Sequence, residues 1–389
     1  MTTTENRRLP LLAQHDDALQ RCGYCPKLCR ATCPVSETEG RESVTPWGKM
    51  SAAWFMDRGN VPIDRPYASL AWACSGCHAC TERCDHGNRP AKVLGDARAD
   101  LFALGAAPAA AHALAGRFDA LEAASNAAAA AIDARRGASG GGAAVLVGCA
   151  YLRDAPGVAT DALAATEVLL GGATGRRVAA HAVAGCCGLP LLHAGDRDGF
   201  ERAARRLAAR VRNASDFVVV DPGCARTLLV EYASIGVEVR APKLFADLAA
   251  EGALRMKVAP DPASSAPPRW HDPCQLGRGL GRYDGPRAVL ERVFGAAPSE
   301  FARSREAADC SGAGGMLPLT RPETSAAIAD DRIAEHRRLG GGTLVTGCAS
   351  SLRRFRASGE PAEDLVTWAA RGLGVSTHAN SGSGAPPEQ

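Results

Sequence analysis

Eight of the fifteen cysteines fall in two tight runs, Cys22-Cys25-Cys29-Cys33 and Cys74-Cys77-Cys80-Cys84. The second reads C-x2-C-x2-C-x3-C. The first has one extra residue between its second and third cysteines, and Pro34 follows it directly. Three closely spaced thiolates on a turn grip three irons of a four-iron cluster, while the more distant fourth cysteine reaches a second cluster. The runs therefore predict two cubane [4Fe-4S] clusters with crossed ligation. One uses Cys22, Cys25, Cys29 and Cys84, the other Cys74, Cys77, Cys80 and Cys33. Zinc is the competing reading, since paired C-x2-C knuckles bind it tetrahedrally. Zinc sites use two such pairs per metal, which would leave Cys29 and Cys80 surplus. Asp85 stands where a second Pro would complete the iron–sulfur pattern.

A chain of 389 residues has room for two to four domains. With 46% hydrophobic and 22% charged residues it reads as soluble and globular. A net charge of +3 gives no argument for nucleic acid as a partner. No run of about 18 apolar residues is present, so no transmembrane segment is expected. The first twenty residues lack the basic–apolar–small order of a secretory leader. Fifteen cysteines in such a chain read as thiols kept reduced for metal. The expected address is cytoplasmic, with docking at the inner face of a membrane through a partner left open.

Residues 1–21 predict a short helix leading into the first quartet. Thr45-Pro46-Trp47-Gly48-Lys49-Met50 reads as a turn with Pro near a helix start, and residues 49–57 are apolar at helical spacing. Forty residues separate Cys33 from Cys74, which favours a mainly helical dicluster domain over a small β-type ferredoxin. Trp47, Trp54, Phe55 and Trp72 are expected to pack around the clusters. Residues 99–136 are Ala-rich and helix-prone, and the glycine run at 137–142 reads as a flexible boundary. That run lacks the spacing and the Lys-Ser/Thr of a phosphate loop.

Beyond Gly142, short β-branched runs alternate with amphipathic helical stretches, as α/β layers do. Residues 144–147 deliver Cys149, 180–183 lead to Cys186-Cys187, and 217–220 run into Asp221-Pro222-Gly223-Cys224. Residues 269–273 deliver Cys274, and 343–346 deliver Cys348. Ligands of open α/β sheets sit beyond the carboxyl ends of the strands, so these cysteines can meet on one edge. The spacing also repeats. Between Cys149 and Cys186 lie 36 residues, and 36 more lie between Cys187 and Cys224; the second half has 35 between Cys274 and Cys310 and 36 between Ser311 and Cys348. GCCGLP is echoed by CSGAGGMLP, and DPGCARTL by TGCASSL. A duplicated domain explains both gaps and words. Gly188 and Gly312 follow each pair, where the backbone must turn sharply.

The expected fold class is thus α+α/β. A helical dicluster ferredoxin-like domain (1–98) and an Ala-rich helical linker (99–142) precede two duplicated α/β cysteine-rich repeats (143–260 and 261–375), with Pro267-Pro268 near the join and a disordered tail (376–389).

Over roughly residues 20–370 this organisation resembles the heterodisulfide-reductase-related Fe–S oxidoreductases. These include the fused heterodisulfide reductase catalytic subunit and the iron–sulfur subunits of glycolate oxidase and anaerobic glycerol-3-phosphate dehydrogenase. The most specific pieces are the two quartets, GCCGLPLLHAGD at 185–196 and HDPCQLGR at 271–278. The resemblance implies metal clusters in the repeats and electron passage between a flavoprotein or membrane partner and an acceptor. The full heterodisulfide reductase motif supplies five thiolates per repeat for a non-cubane four-iron cluster. Here the first repeat keeps Cys149, Cys186, Cys187 and Cys224, with Thr227 in the fifth place. The second keeps Cys274, Cys310 and Cys348, with Ser311 and Ser351 replacing two others. Serine is a poor substitute for a soft thiolate. One further cluster in the repeats is expected rather than two, in the manner of glycolate-oxidase-type subunits. The second repeat is left with an incomplete site, an open coordination position, or ligands lent to a shared site.

Among the remaining residues, His271-Asp272 could form a proton relay or be a satisfied strand-end pair, and the pair is the plainer reading. His78 and His86 lie among the cluster cysteines, and are expected to tune the clusters or to face solvent. His181 and His193 flank the Cys186-Cys187 pair. No nucleophile elbow or Walker sequence is present. The cysteine pairs could instead be redox thiols, but their regular spacing from Cys149 and Cys224 favours metal. The leading expectation is an electron-transfer subunit linking a flavoprotein dehydrogenase, of the 2-hydroxy-acid oxidase type, to a quinone, cytochrome or soluble carrier. The alternatives are a heterodisulfide-reductase-like catalytic subunit and a zinc scaffold. Catalytic residues are not assigned.

Overall fold

Helices fill the chain up to Arg136, and the first strand opens at Ala143. A computed structural model describes residues 7–25, 28–138, 141–172, 177–259 and 266–377. The expectations for residues 1–6, the middle of the glycine run at 139–140 and the tail from 378 lie outside the described residues.

The front of the molecule is built as its sequence suggests. Thr45 caps the helix Pro46–Asp57, accepting a bond from the Gly48 N–H at 3.0 Å, and Pro46 occupies the first turn, where its missing N–H costs nothing. The inner face of this helix brings Met50, Ala53 and Met56 against Leu12, Trp72, Leu94 and Leu101. Trp72 is fully buried, but Phe55 is 42% exposed, on the outer face of its helix. The packing expected of the four aromatics therefore holds for Trp72 and fails for Phe55. The Ala-rich stretch forms parts of three helices, Pro90–Ala103, Ala109–Gly116 and Phe118–Arg136. Leu101, Ala111 and Leu114 join the front core, and Ile132 joins that of the repeats.

The repeats hold two parallel sheets. In the first, β1 (Ala143–Leu146), β2 (Ala180–Ala182), β3 (Phe217–Val219) and β4 (Lys243–Leu244) lie in the order β2-β1-β3-β4. Val145 faces Ala182 on one side and Val218 on the other. In the second, β5 (Arg269–Trp270), β6 (Leu344–Thr346) and β7 (Glu363–Asp364) lie in that order. Strands covered on both faces read as continuous apolar runs, which is why β1, β3 and β6 are visible in the sequence. The two-residue strands β4 and β7 are too short to leave a pattern. One apolar core runs through both repeats, with the helices Pro156–Leu170 and Leu365–Gly372 packed together along the seam.

Polar bonds cross the same seam. The Tyr151 hydroxyl donates to Asp364 at 2.6 Å, and the Ala349 N–H donates to Asp221 at 3.1 Å. Burial raises the Asp364 carboxyl to about 7, with the nearby Asp221 adding to the rise. The folded chain thus holds a proton there that an unfolded aspartate has released, so this group's contribution to stability falls as pH rises from about 4 to 7. Asp364→Asn, which mimics the protonated acid, is expected to remove that slope. Between pH 5 and 7 the wild type should lose roughly 2 kcal/mol relative to the variant in anaerobic urea denaturation. Parallel pH profiles would refute the assignment.

Candidate metal centres

The structure brings the front cysteines together in the crossed arrangement. Asn88 joins the ends of the first set, its backbone N–H reaching Cys84 Sγ at 3.3 Å and its side-chain amide reaching Cys22 Sγ at 3.1 Å. Burial raises the Cys29 thiol to about 11, and the neighbouring Cys22, Cys25 and Cys84 add to it. This set lies close to the surface. Tyr24, between two of its cysteines, is 88% exposed.

The second set is deeper. Cys33, Cys74, Cys77 and Cys80 line one cradle, with Cys33, Cys77 and Cys80 buried. Three cations surround it. Lys49, only 2% exposed, points Nζ at the Ala73 carbonyl (2.7 Å) and at Cys33 Sγ (3.4 Å). Burial alone would lower this ammonium's pKa, but the cluster of Cys33, Cys74 and Cys80 raises it. Arg98 is buried and donates to the carbonyls of Ala71 (3.0 Å), Cys74 (2.7 Å), His193 (3.3 Å) and Gly315 (3.3 Å). Arg278 donates to the Cys77 carbonyl at 2.7 Å, while its buried Nη2 has no hydrogen-bond partner among the described residues. None of the three is paired with a carboxylate among the described residues. Buried cations without counter-charge are costly, so this cradle calls for an anion at its centre. A thiolate-bound iron–sulfur cluster is such an anion, and the residues present fit it.

In the first repeat, three adjacent strands deliver four sulfurs to one sheet edge. Cys149 follows β1, Cys186-Cys187 follow β2, and Cys224 follows β3. Cys149 and Cys186 Sγ lie 3.8 Å apart, and Cys187 and Cys224 Sγ lie 3.3 Å apart. Asp221 sets the last turn by accepting from the N–H groups of Gly223 and Cys224. The Cys187 thiol donates to Cys224, yet burial still pushes Cys224 up to about 12. The Cys186 contact and burial keep Cys149 protonated even with Arg153 beside it, and its neighbours stay thiols with it; a metal would hold them as thiolates. Gly188 has φ +82°, and a Cβ there would come within 2.8 Å of the Phe200 ring, so the pair is followed by glycine for both reasons. Thr227, in the fifth place, is buried and spends its hydroxyl on the Gly223 carbonyl at 2.7 Å. A cavity of about 380 Å³ opens beside the four sulfurs, against about 20 Å³ in the cradle of the second quartet. Leu114, Phe118, Arg153, His193, Met316 and Arg353 are among its walls.

The second repeat is different. Ser311 and Ser351 are buried and bonded to each other at 2.8 Å, a neutral pair where two thiolates are missing. Its Cys274 lies close enough to both Cys310 and Cys348 for their charges to interact. Two of them also approach the dicluster domain: Cys310 Sγ lies 3.6 Å from the Ser75 hydroxyl and, beside Cys77, holds that thiol well below its usual range, while Cys274 lies close enough to Cys77 for their charges to interact. Cys348 lies near Asp221 as well as Cys274. The loop after Cys310 is pressed onto the dicluster loop. A Cβ on Gly315 would meet the Cys74 carbonyl oxygen at 2.2 Å, and one on Gly314 would meet that of Ser75 at 2.3 Å.

The histidines resolve toward plain roles. Asp272 is held by Arg287 (2.8 Å to each oxygen), Trp270 (3.0 Å) and the Arg305 N–H (2.8 Å). His271 is buried between Phe301 and Phe355, and burial next to Arg332 lowers it to about 3. The two side chains thus have separate partners, Asp272 these donors and His271 the Arg332 Nε–H at 3.5 Å, which favours the satisfied pair. Burial also lowers His78 and His193 to about 3, with nearby arginines assisting, while His86 is exposed. His181 belongs to β2, away from the sulfurs' end of the strand. Lys49, Asn88, Arg98 and Arg278 were not singled out from sequence. A lysine opening an otherwise apolar helical stretch was the one available signal.

Two family models match the chain: a 4Fe-4S dicluster domain over residues 18–88, and a cysteine-rich domain twice, over 143–229 and 269–353. The second match to the same model bears out the duplication. Among curated proteins, the chain is similar to a subunit of the dihydromethanophenazine:CoB–CoM heterodisulfide reductase of Methanosarcina barkeri, 26% identical over 211 residues, covering 49% of this chain and 50% of the relative. It is 27% identical to a subunit of the fumarate reductase (CoM/CoB) of Methanothermobacter marburgensis over 163 residues, 42% of this chain and 32% of the relative. It is 32% identical to a probable membrane-anchored ferredoxin of Chromohalobacter salexigens over 183 residues, 44% and 27% respectively. The matches thus span half the length of these relatives or less. No helix among the described residues is long and apolar enough to cross a membrane. A dicluster domain ahead of paired cysteine-rich domains, with these relatives, places the chain in the heterodisulfide-reductase-related family of iron–sulfur proteins.

Proposed function

We propose that this chain is the electron-relay subunit of a larger oxidoreductase, passing electrons between a flavoprotein dehydrogenase and a quinone, cytochrome or soluble carrier. Residues 1–98 carry two [4Fe-4S] clusters, on Cys22, Cys25, Cys29 and Cys84 and on Cys33, Cys74, Cys77 and Cys80. The repeats, 143–260 and 261–375, contribute one further cluster, on Cys149, Cys186, Cys187 and Cys224. The Ser311–Ser351 pair argues against a separate cluster in the second repeat, whose Cys274 and Cys310 belong with the surroundings of the second quartet. The observation that carries the reading is the contact between Gly315 and Cys74. Met316, next in that loop, lines the cavity of the first repeat, which supports a path between the buried quartet and the sheet-edge site.

The size of that cavity favours a second reading, in which a disulfide is reduced there directly, as heterodisulfide reductases do. The two are separated by supplying chemically reduced protein with a disulfide and no flavoprotein: released thiol supports the second, and a flavoprotein recovered by pull-down supports the first. Both require iron. Anaerobically purified protein should contain about twelve irons with matching sulfide, and Cys187→Ala about eight. Eight in both would end the assignment of the repeat site, and zinc without iron would end the redox reading.

A further inference from the structure

Lys49 is the charged side chain whose tip is aimed at a sulfur of the second quartet. It lies at the start of the helix Pro46–Asp57 and is 2% exposed. One of its three N–H donors goes to the Ala73 carbonyl at 2.7 Å, and another faces Cys33 Sγ at 3.4 Å. Arg98 and Arg278, by contrast, direct their bonds at backbone carbonyls. Among the described residues no carboxylate pairs with Lys49, so its charge is not spent elsewhere. The first quartet has a neutral donor, Asn88, in the corresponding role.

Resting on the cluster assignment above, we propose that Lys49 is a positioning residue that raises the reduction potential of the cluster on Cys33, Cys74, Cys77 and Cys80. Reduction adds one electron, supplied by the flavoprotein partner or a chemical reductant; no bond forms or breaks and no proton moves. The ammonium stays charged in both states. The added negative charge is felt at close range and away from water, where a fixed positive charge favours the reduced form by at least about tenfold. A donor to a cluster sulfur acts in the same direction.

The test is an EPR-monitored redox titration of the full chain, anaerobically loaded, as wild type, Lys49→Met and Lys49→Arg. Iron and sulfide are counted first: protein without them removes the cluster reading itself, independently of what Lys49 does. With iron in place, Lys49→Met is expected to lower one midpoint by a factor of ten in the reduced-to-oxidised ratio, about 59 mV for a one-electron couple, and to leave the others alone. Lys49→Arg should restore most of the loss, which a purely structural role does not require. Midpoints in Lys49→Met within twofold of wild type would overturn the proposal. If Lys49→Met fails to hold iron, wild-type protein labelled with 15N at the lysine Nζ decides. Pulsed EPR of the reduced protein should detect a nitrogen coupling at hydrogen-bond range, and no coupling would overturn it.

Discussion

Stripping the iron with a chelator, anaerobically and under reducing conditions, is expected to unfold the front of the molecule and spare the sheets of the repeats. The two regions respond differently because they bury different groups. At the sheet edge the four sulfurs of the first repeat can revert to neutral thiols, which are tolerated in an apolar setting. Around the second quartet, Lys49, Arg98 and Arg278 would lose the anion between them, and the two arginines cannot shed their protons. An uncompensated buried ion costs several kcal/mol, and a whole domain is stable by only about 5–15 kcal/mol. Hydrogen exchange should therefore lose protection across the helices Pro46–Asp57 and Pro90–Ala103 while β1 and β3 remain protected. Unchanged protection at Met50 and Leu94 after complete iron removal would show that the cations are balanced by something other than the cluster.

Arg98→Met is expected to be the most damaging single substitution that touches no cysteine. Its guanidinium ties together carbonyls from the dicluster domain (Ala71, Cys74), the first repeat (His193) and the second (Gly315). Methionine fills the space but leaves four acceptors at a largely buried junction, of which, among the described residues, only His193 keeps another side-chain donor, the Trp72 indole at 3.2 Å. Each stranded group costs about 1–3 kcal/mol, so a loss of roughly 3–5 kcal/mol in denaturant midpoint measurements is expected even with partial relaxation. Arg98→Lys should not rescue it, because a point-like ammonium cannot serve four carbonyls in three directions. Electron transfer between the front clusters and the repeat site should slow as well, since the Gly315 loop loses its tie to Cys74. A variant within about 1 kcal/mol of wild type would contradict this account of the junction.

What could be read from the sequence was whatever is governed by local geometry. Thiolates gripping one cluster must be close in the chain, so the quartets announce themselves, and a duplicated fold repeats its strand-to-cysteine spacing, so Cys149, Cys186, Cys187 and Cys224 stand out in the sequence itself. Buried parallel strands are apolar throughout, and β1, β3 and β6 followed from that. The tertiary structure alone decided how the charge is balanced. A lysine in an apolar helical stretch marks Lys49 without saying what it faces, and nothing in the chain indicates that Arg98 ends beside a buried quartet, that Ser311 and Ser351 satisfy one another 40 positions apart, or that Cys310 turns toward Cys77. These pairings are chosen by the cost of leaving a charge or polar group unmatched after burial. That cost depends on which surfaces meet and leaves no periodic mark on the sequence.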